Sequence, residues 1–205
     1  MDWSLFHAIN ALGRHDDSLQ DTAVAYNAVA IFAIVAVAGL LWFLARPNGP
    51  LKAKLAAASA AFSVGLGLLL NVVAGSLWHH DRPFVDHPRG VVLLVHHVAD
   101  NSFPSDHSTV AFAAAFAVLV FYRRLGGLLL LGAIGVALAR VLVGVHYPLD
   151  VGASALIGAA SAAIVTFFAR PYVVWVVRLA SRLSDPVVAA VRSRVIRASR
   201  SRAQV

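Results

Sequence analysis

Arg140-Val-Leu-Val-Gly-Val-His146-Tyr147-Pro148-Leu149-Asp150 packs an arginine, a histidine and an aspartate into one short stretch. An imidazole at 146 with a carboxylate four residues on can be held in one tautomer and made more basic. Such a histidine can attack phosphorus in line, giving a phosphohistidine that water later hydrolyses. A second group, Ser102-Phe103-Pro104-Ser105-Asp106-His107, offers His107 to protonate a leaving oxygen and then to activate that water. Arg82, before Pro83, is a third. Two guanidiniums (Arg82 and Arg140), the Ser105 hydroxyl and the outward N–H groups of helices starting at 104 and 148 are what a phosphate requires, because arginine matches its oxygens in a fork. With arginines to neutralise developing charge the chemistry needs no metal, and no cofactor is expected.

The elements that must position these residues are membrane helices. Between the second group and the first lie two apolar segments, Ser108–Tyr122 and Gly127–Gly144, joined by the basic turn Arg123-Arg124. At 1.5 Å per residue each covers roughly 22–27 Å, close to a bilayer core. Two such helices on a short turn are antiparallel, so Ser105, His107, Arg140, His146 and Asp150 meet at one membrane face. Further spans are expected at about 23–44, 54–78 and 149–168, the second with Asn71 as its strongly polar interior residue. Residues 1–22 lack the basic start of a signal peptide and read as an interfacial amphipathic helix. Residues 171–205 read as a basic amphipathic tail divided at Asp185-Pro186, with Ser184 as N-cap of the second piece. A sixth span there is disfavoured by Arg178 and Arg182. The expected fold class is therefore all-α: a polytopic bundle of about five transmembrane helices, the domain being 23–170, with interfacial helices at both ends.

Composition agrees. The 205 residues are 60% hydrophobic and 13% charged, and without cysteine no disulfide, thiolate nucleophile or Cys-based metal site can form. The net charge of +7 is sorted along the chain. Thirteen of the seventeen Lys and Arg lie in 45–54, 123–124 and 170–205, which the positive-inside rule assigns to the cytoplasm. The other side holds nine of the ten Asp and all nine His. The N-terminus and the reactive face are then outside and the C-terminus inside. Basic residues beside apolar spans suit anionic membrane lipids rather than nucleic acid.

Taken together, Arg82-Pro83, Pro104-Ser105-Asp106-His107 and Arg140-(five residues)-His146-(three residues)-Asp150 resemble the three signature motifs of the type 2 phosphatidic acid phosphatase (PAP2) superfamily, over about residues 70–165. The resemblance implies a metal-independent lipid phosphatase. His146 would be nucleophile, Asp150 its partner and His107 acid and base, with phosphate bound by Arg82, Ser105 and Arg140. Three positions depart from the pattern. The lysine usual seven residues before the motif arginine is Gly75, the usual glycine of the second motif is Asp106, and Ala139 precedes Arg140 where serine is usual. A phosphate-binding cation is thus missing or supplied elsewhere, and Asp106, His79 and His80 are candidate substrate contacts. Short chains with Asp in the second motif resemble the bacterial undecaprenyl pyrophosphate phosphatases of the bacitracin-resistance type. That likeness implies a plasma-membrane enzyme recycling the carrier lipid of peptidoglycan synthesis, with a polyprenyl pyrophosphate as substrate.

Two alternatives stay open: a phosphatase for phosphatidate or phosphatidylglycerol phosphate, and a non-catalytic lipid-phosphate binding or transport protein. His79-His80 and His96-His97 do not have HExxH spacing, and adjacent histidines diverge on a regular element, so exposed loop residues are expected there rather than a metal site. Gly65, Gly67, Gly132, Gly135 and Gly152 are expected to let helices pack closely.

Overall fold

The structure, a computed structural model, describes residues 2–14 and 16–202, with side chains to 194. Eight α-helices run in chain order among the described residues: α1 Asp2–Leu12, α2 Asp17–Leu44, α3 Lys52–Leu77, α4 Pro83–Asp86, α5 Asp106–Phe121, α6 Arg123–Leu142, α7 Pro148–Ala163 and α8 Arg170–Arg202. A π-helical turn, Ile164–Phe168, extends α7. Four elements are long and apolar enough to cross a membrane: α2, α3, α6 and α7 with its π turn. The fifth apolar helix, α5, has 16 residues. The chain is a multi-pass membrane protein.

Helix α5 is the central post. Ala111, Ala113, Ala114, Ala115 and Ala117 are all buried, and their small side chains let α2, α3, α6 and α7 close around it. At roughly 24 Å it is short for a bilayer, but protein surrounds it and lipid does not. Large side chains instead cover the outside, where Phe32, Leu69, Leu131 and Leu156 are exposed as a lipid-facing surface requires. Gly67 and Gly135 pack closely, as expected, with a Cβ at Gly135 falling 2.8 Å from the Tyr26 hydroxyl, while one at Gly132 would make only ordinary contact at 3.5 Å. Gly65 and Gly152 face open space, while Gly126 and Gly158 approach backbone of α5, at 2.2 Å and 2.8 Å for an added Cβ.

Both ends of the chain differ from expectation. The first 22 residues form two elements, because Asp16 caps α2 by accepting from Leu19 N at 3.0 Å and the apolar span starts there. Helix α1 packs on the bundle: Phe6 and Asn10 are buried, and the Asn10 amide donates to Val92 O and Leu142 O, each at 2.8 Å. The tail does not divide at 185–186. Helix α8 continues through Pro186, which lacks the N–H for one ladder bond, while the Asp185 side chain pairs with buried Lys54 of α3 and accepts from Asn48 N at 3.0 Å. Residues 203–205 of the basic tail lie outside the described residues.

Candidate active site

The site lies where α5 and α7 begin and α6 ends. Pro148 opens α7 at its first position, where a missing N–H costs nothing, and Asp150 accepts from Tyr147 N at 2.9 Å to close the first turn. That bond fixes the carboxylate beside His146, which belongs to the turn between α6 and α7. The turn itself needs Gly144, whose φ of +88° and whose 2.6 Å approach of any Cβ to Val92 O exclude other residues.

His146 is 3% exposed, and its Nδ1 lies 3.6 Å from Asp150 Oδ2, too far for a direct hydrogen bond. Ser102 closes the gap. Its Oγ is 3.3 Å from Nδ1 and donates to the same carboxylate oxygen at 2.5 Å. Nδ1–H can thus donate to Ser102, whose hydroxyl donates in turn to Asp150, leaving Nε2 unprotonated with its lone pair towards Arg82. Arg82 Nη1 stands 3.3 Å from that nitrogen. Burial first, and then the charges of Arg140 and Arg82, push His146 down to about 4 against the opposing pull of Asp150. Near neutral pH the imidazole is uncharged.

Arg82 is held on three sides: Nε donates to Asp100 Oδ1 at 2.7 Å, and Nη1 and Nη2 donate to Val145 O and Asn101 O at 2.9 and 3.4 Å. Burial raises the Asp100 carboxyl, but its bond to Arg82 and the guanidinium charge outweigh that and hold it below the usual range. Arg140, 3% exposed, donates through Nη1 to Asn27 Oδ1 of α2 at 3.0 Å, and its Nη2 lies 3.3 Å from His97 Nε2. Its Nε has no partner among the described residues, and neither has the buried Ser105 hydroxyl at the N-cap of α5. Both are buried polar groups left without a partner, the kind whose bonding capacity an anion can satisfy. His107, in the first turn of α5, has Arg140, Asp106, His97 and Arg82 as its nearest charges.

The structure therefore brings together Arg82, Ser105, His107, Arg140, His146 and Asp150 from the ends of four helices. Asp106 sits at the edge, exposed, accepting from Asn71 Nδ2 at 2.7 Å, and Asn71 also takes Thr109 Oγ1, so it joins α3 to α5 as expected. His80 reaches the cluster through Asp150 Oδ1 at 2.9 Å and stacks on Tyr147 with centroids 4.7 Å apart. It supports the carboxylate. His79 is exposed and pairs with Asp81 at 3.1 Å. His97 departs from the loop reading, since it stands against Arg140 and 6.5 Å from the His146 ring. Ser102, Asn101, Asn27 and Asp100 had no role in the sequence reading. Only Ser102 carried a hint, as the opening residue of the second group.

A family model described as the PAP2 superfamily matches residues 56–173. The chain is 35% identical to the bacitracin transport permease protein BcrC of Bacillus licheniformis over 166 residues, covering 81% of this chain and 79% of that one. It is 31% identical to the undecaprenyl-diphosphatase BcrC of Bacillus subtilis over 182 residues, covering 87% and 91%. The crystal structure of Aquifex aeolicus LpxE superposes with a TM-score of 0.66 at 23% identity, over 80% of this chain and 93% of that one.

Proposed function

From the premise that this chain belongs to the PAP2 superfamily, we propose that it hydrolyses undecaprenyl pyrophosphate to undecaprenyl phosphate and inorganic phosphate. The observation that carries this is the buried His146 ring, set between the Ser102–Asp150 pair on one nitrogen and Arg82 on the other. Nε2 attacks the terminal phosphorus while the bond from phosphorus to the bridging oxygen breaks, and His107 gives its proton to that oxygen. The transferred group is held by Arg82, Arg140, the Ser105 hydroxyl and the first amides of α5, whose charges and dipoles act on the oxygens that gain charge. His107 then takes a proton from water as its oxygen attacks phosphohistidine, releasing inorganic phosphate and restoring His146.

Two features favour a pyrophosphate lipid among lipid phosphates. The B. subtilis relative is named for undecaprenyl diphosphate, and the identity to it runs over most of both chains. The B. licheniformis relative is named for bacitracin transport, and a lipid-phosphate binding or transport protein without turnover is the competing reading. Phosphate release by the detergent-purified protein in EDTA separates them. Turnover of undecaprenyl pyrophosphate well above that of phosphatidate and phosphatidylglycerol phosphate is expected, and His146→Ala and His107→Ala should each reduce it at least a thousandfold, on the order of losses seen when a nucleophile or its proton donor is removed. Saturable lipid binding with no turnover would instead favour the carrier.

A further inference from the structure

Both arginines of the site are met by one short segment of irregular chain. Asp100 accepts from Arg82 Nε at 2.7 Å, and three residues earlier His97 Nε2 lies 3.3 Å from Arg140 Nη2. The other His97 nitrogen, Nδ1, is 3.2 Å from Val98 O. A carbonyl can only accept, so Nδ1 carries the proton and Nε2 turns a lone pair to the guanidinium. The ring is edge-on to that of His146, with centroids 6.5 Å apart.

Position 75, by contrast, is tight for any side chain in place of the cation absent there. A Cβ on Gly75 would lie 3.0 Å from Phe103 O and 3.3 Å from Asn101 Nδ2, and Asn101 is tied down by donating to Gly75 O at 2.9 Å. The loop fills the space that a side chain at 75 would cross.

We propose that His97 is a further phosphate-binding residue: with substrate bound, its Nε2 stops accepting from Arg140 and donates to an oxygen of the transferred phosphoryl group, in the role of the cation missing at 75. This rests on the phosphatase reading and adds one contact to the same site. The change requires one proton, taken from solvent. In the free protein burial first, and then Arg82 and Arg140, hold His97 below the ordinary histidine range against the pull of Val98 O and Asp100. The groups facing its ring are Arg140 from α6, Arg82 ahead of α4, Asp100 of its own loop, His146 from the α6–α7 turn and His107 of α5. A phosphate monoester brings about −1.5 to −2 charges near neutral pH and reverses the field at the ring. Binding then takes up a proton, and affinity rises as pH falls from the bound-state pKa towards the free-state one.

Two side chains split the roles of acceptor and cation. Glutamine can accept from Arg140 but carries no charge, whereas lysine carries the charge and cannot accept. Inorganic phosphate affinity, by calorimetry in buffers of different ionisation enthalpy, and kcat and KM for undecaprenyl pyrophosphate are measured on the full chain in detergent. His97→Ala should weaken phosphate binding about tenfold and raise KM in parallel, the scale of one hydrogen bond to a charged group. His97→Lys should recover most of the loss and His97→Gln little, and proton uptake should fall in both. Recovery by glutamine and not by lysine would make His97 a support for Arg140 and overturn the proposal, as would an alanine variant that binds phosphate like the wild type. If the wild type turns over no lipid while its phosphate affinity still depends on His97, the phosphatase reading fails and the binding residue stands.

Discussion

Ser102 shows how one hydroxyl can complete a pair that spacing alone leaves open. His146 and Asp150 are four residues apart, yet the intervening turn leaves 3.6 Å between them, and the bond runs through Ser102 Oγ. Replacing Ser102 with alanine should lower kcat by about 10–100-fold, the cost usual for a group that orients a reacting histidine, with KM little changed. Steady-state kinetics on the purified variant reads this directly. The buried ring also sets a pH limit. With His146 pushed down to about 4, a nitrogen-15 NMR titration should find it neutral from pH 8 to 5, and protonation near pH 4 should remove the nucleophile. A midpoint at 6–7 would mean that the ring is solvated. Arg82, Arg140, His146 and Asp150 were legible as a cluster because they sit at helix ends, where period and turn fix direction. Asp100, Asn101 and His97 were not, because 87–105 has almost no regular structure and its residues reach the site by a path no spacing encodes.

At the scale of elements, the five apolar helices and their antiparallel order could be read from run length and the basic turn at 123–124. Which glycines matter could not, since contact depends on the rotation of each helix. Gly126 and Gly158 are where α6 and α7 press on α5 and its end: a Cβ would lie 2.2 Å from Leu119 Cα and 2.8 Å from Ala113 N. Backbone cannot yield as a side chain can. Gly126→Ala should therefore destabilise the protein by about 1–3 kcal/mol or more, the cost of overpacking. Gly65→Ala and Gly152→Ala, in open space within helices, should be neutral or gain up to about 1 kcal/mol. Thermal unfolding in detergent, followed by circular dichroism, ranks the three. The continuity of α8 through Pro186 was hidden for a related reason. Its stabilising partners, Lys54 and Asn48, lie more than a hundred residues away in sequence.

Viewed as a whole, the molecule has a reactive end with the histidines and a basic end with Lys52, Arg123 and Arg124. We assign the reactive end to the outside by the sorting of charge. The cysteine-free chain makes this simple to test with single cysteines at exposed Arg89 and Arg124. A membrane-impermeant maleimide should label Arg89→Cys in intact cells and Arg124→Cys only after lysis, and the opposite pattern would move the chemistry to the cytoplasm. Helix α1 closes over the reactive end, with Asn10 bound to Val92 and Leu142, Phe6 against Tyr147, and Asp2 accepting from Leu149 N. During synthesis this segment leaves the ribosome before every other helix, yet its seat spans chain made up to 147 residues later. Helix α1 must wait, undocked, until the α6–α7 turn has been translated. Docking of α1 thus follows the making of its seat, and the loop beside the site gains its last packing partner only then.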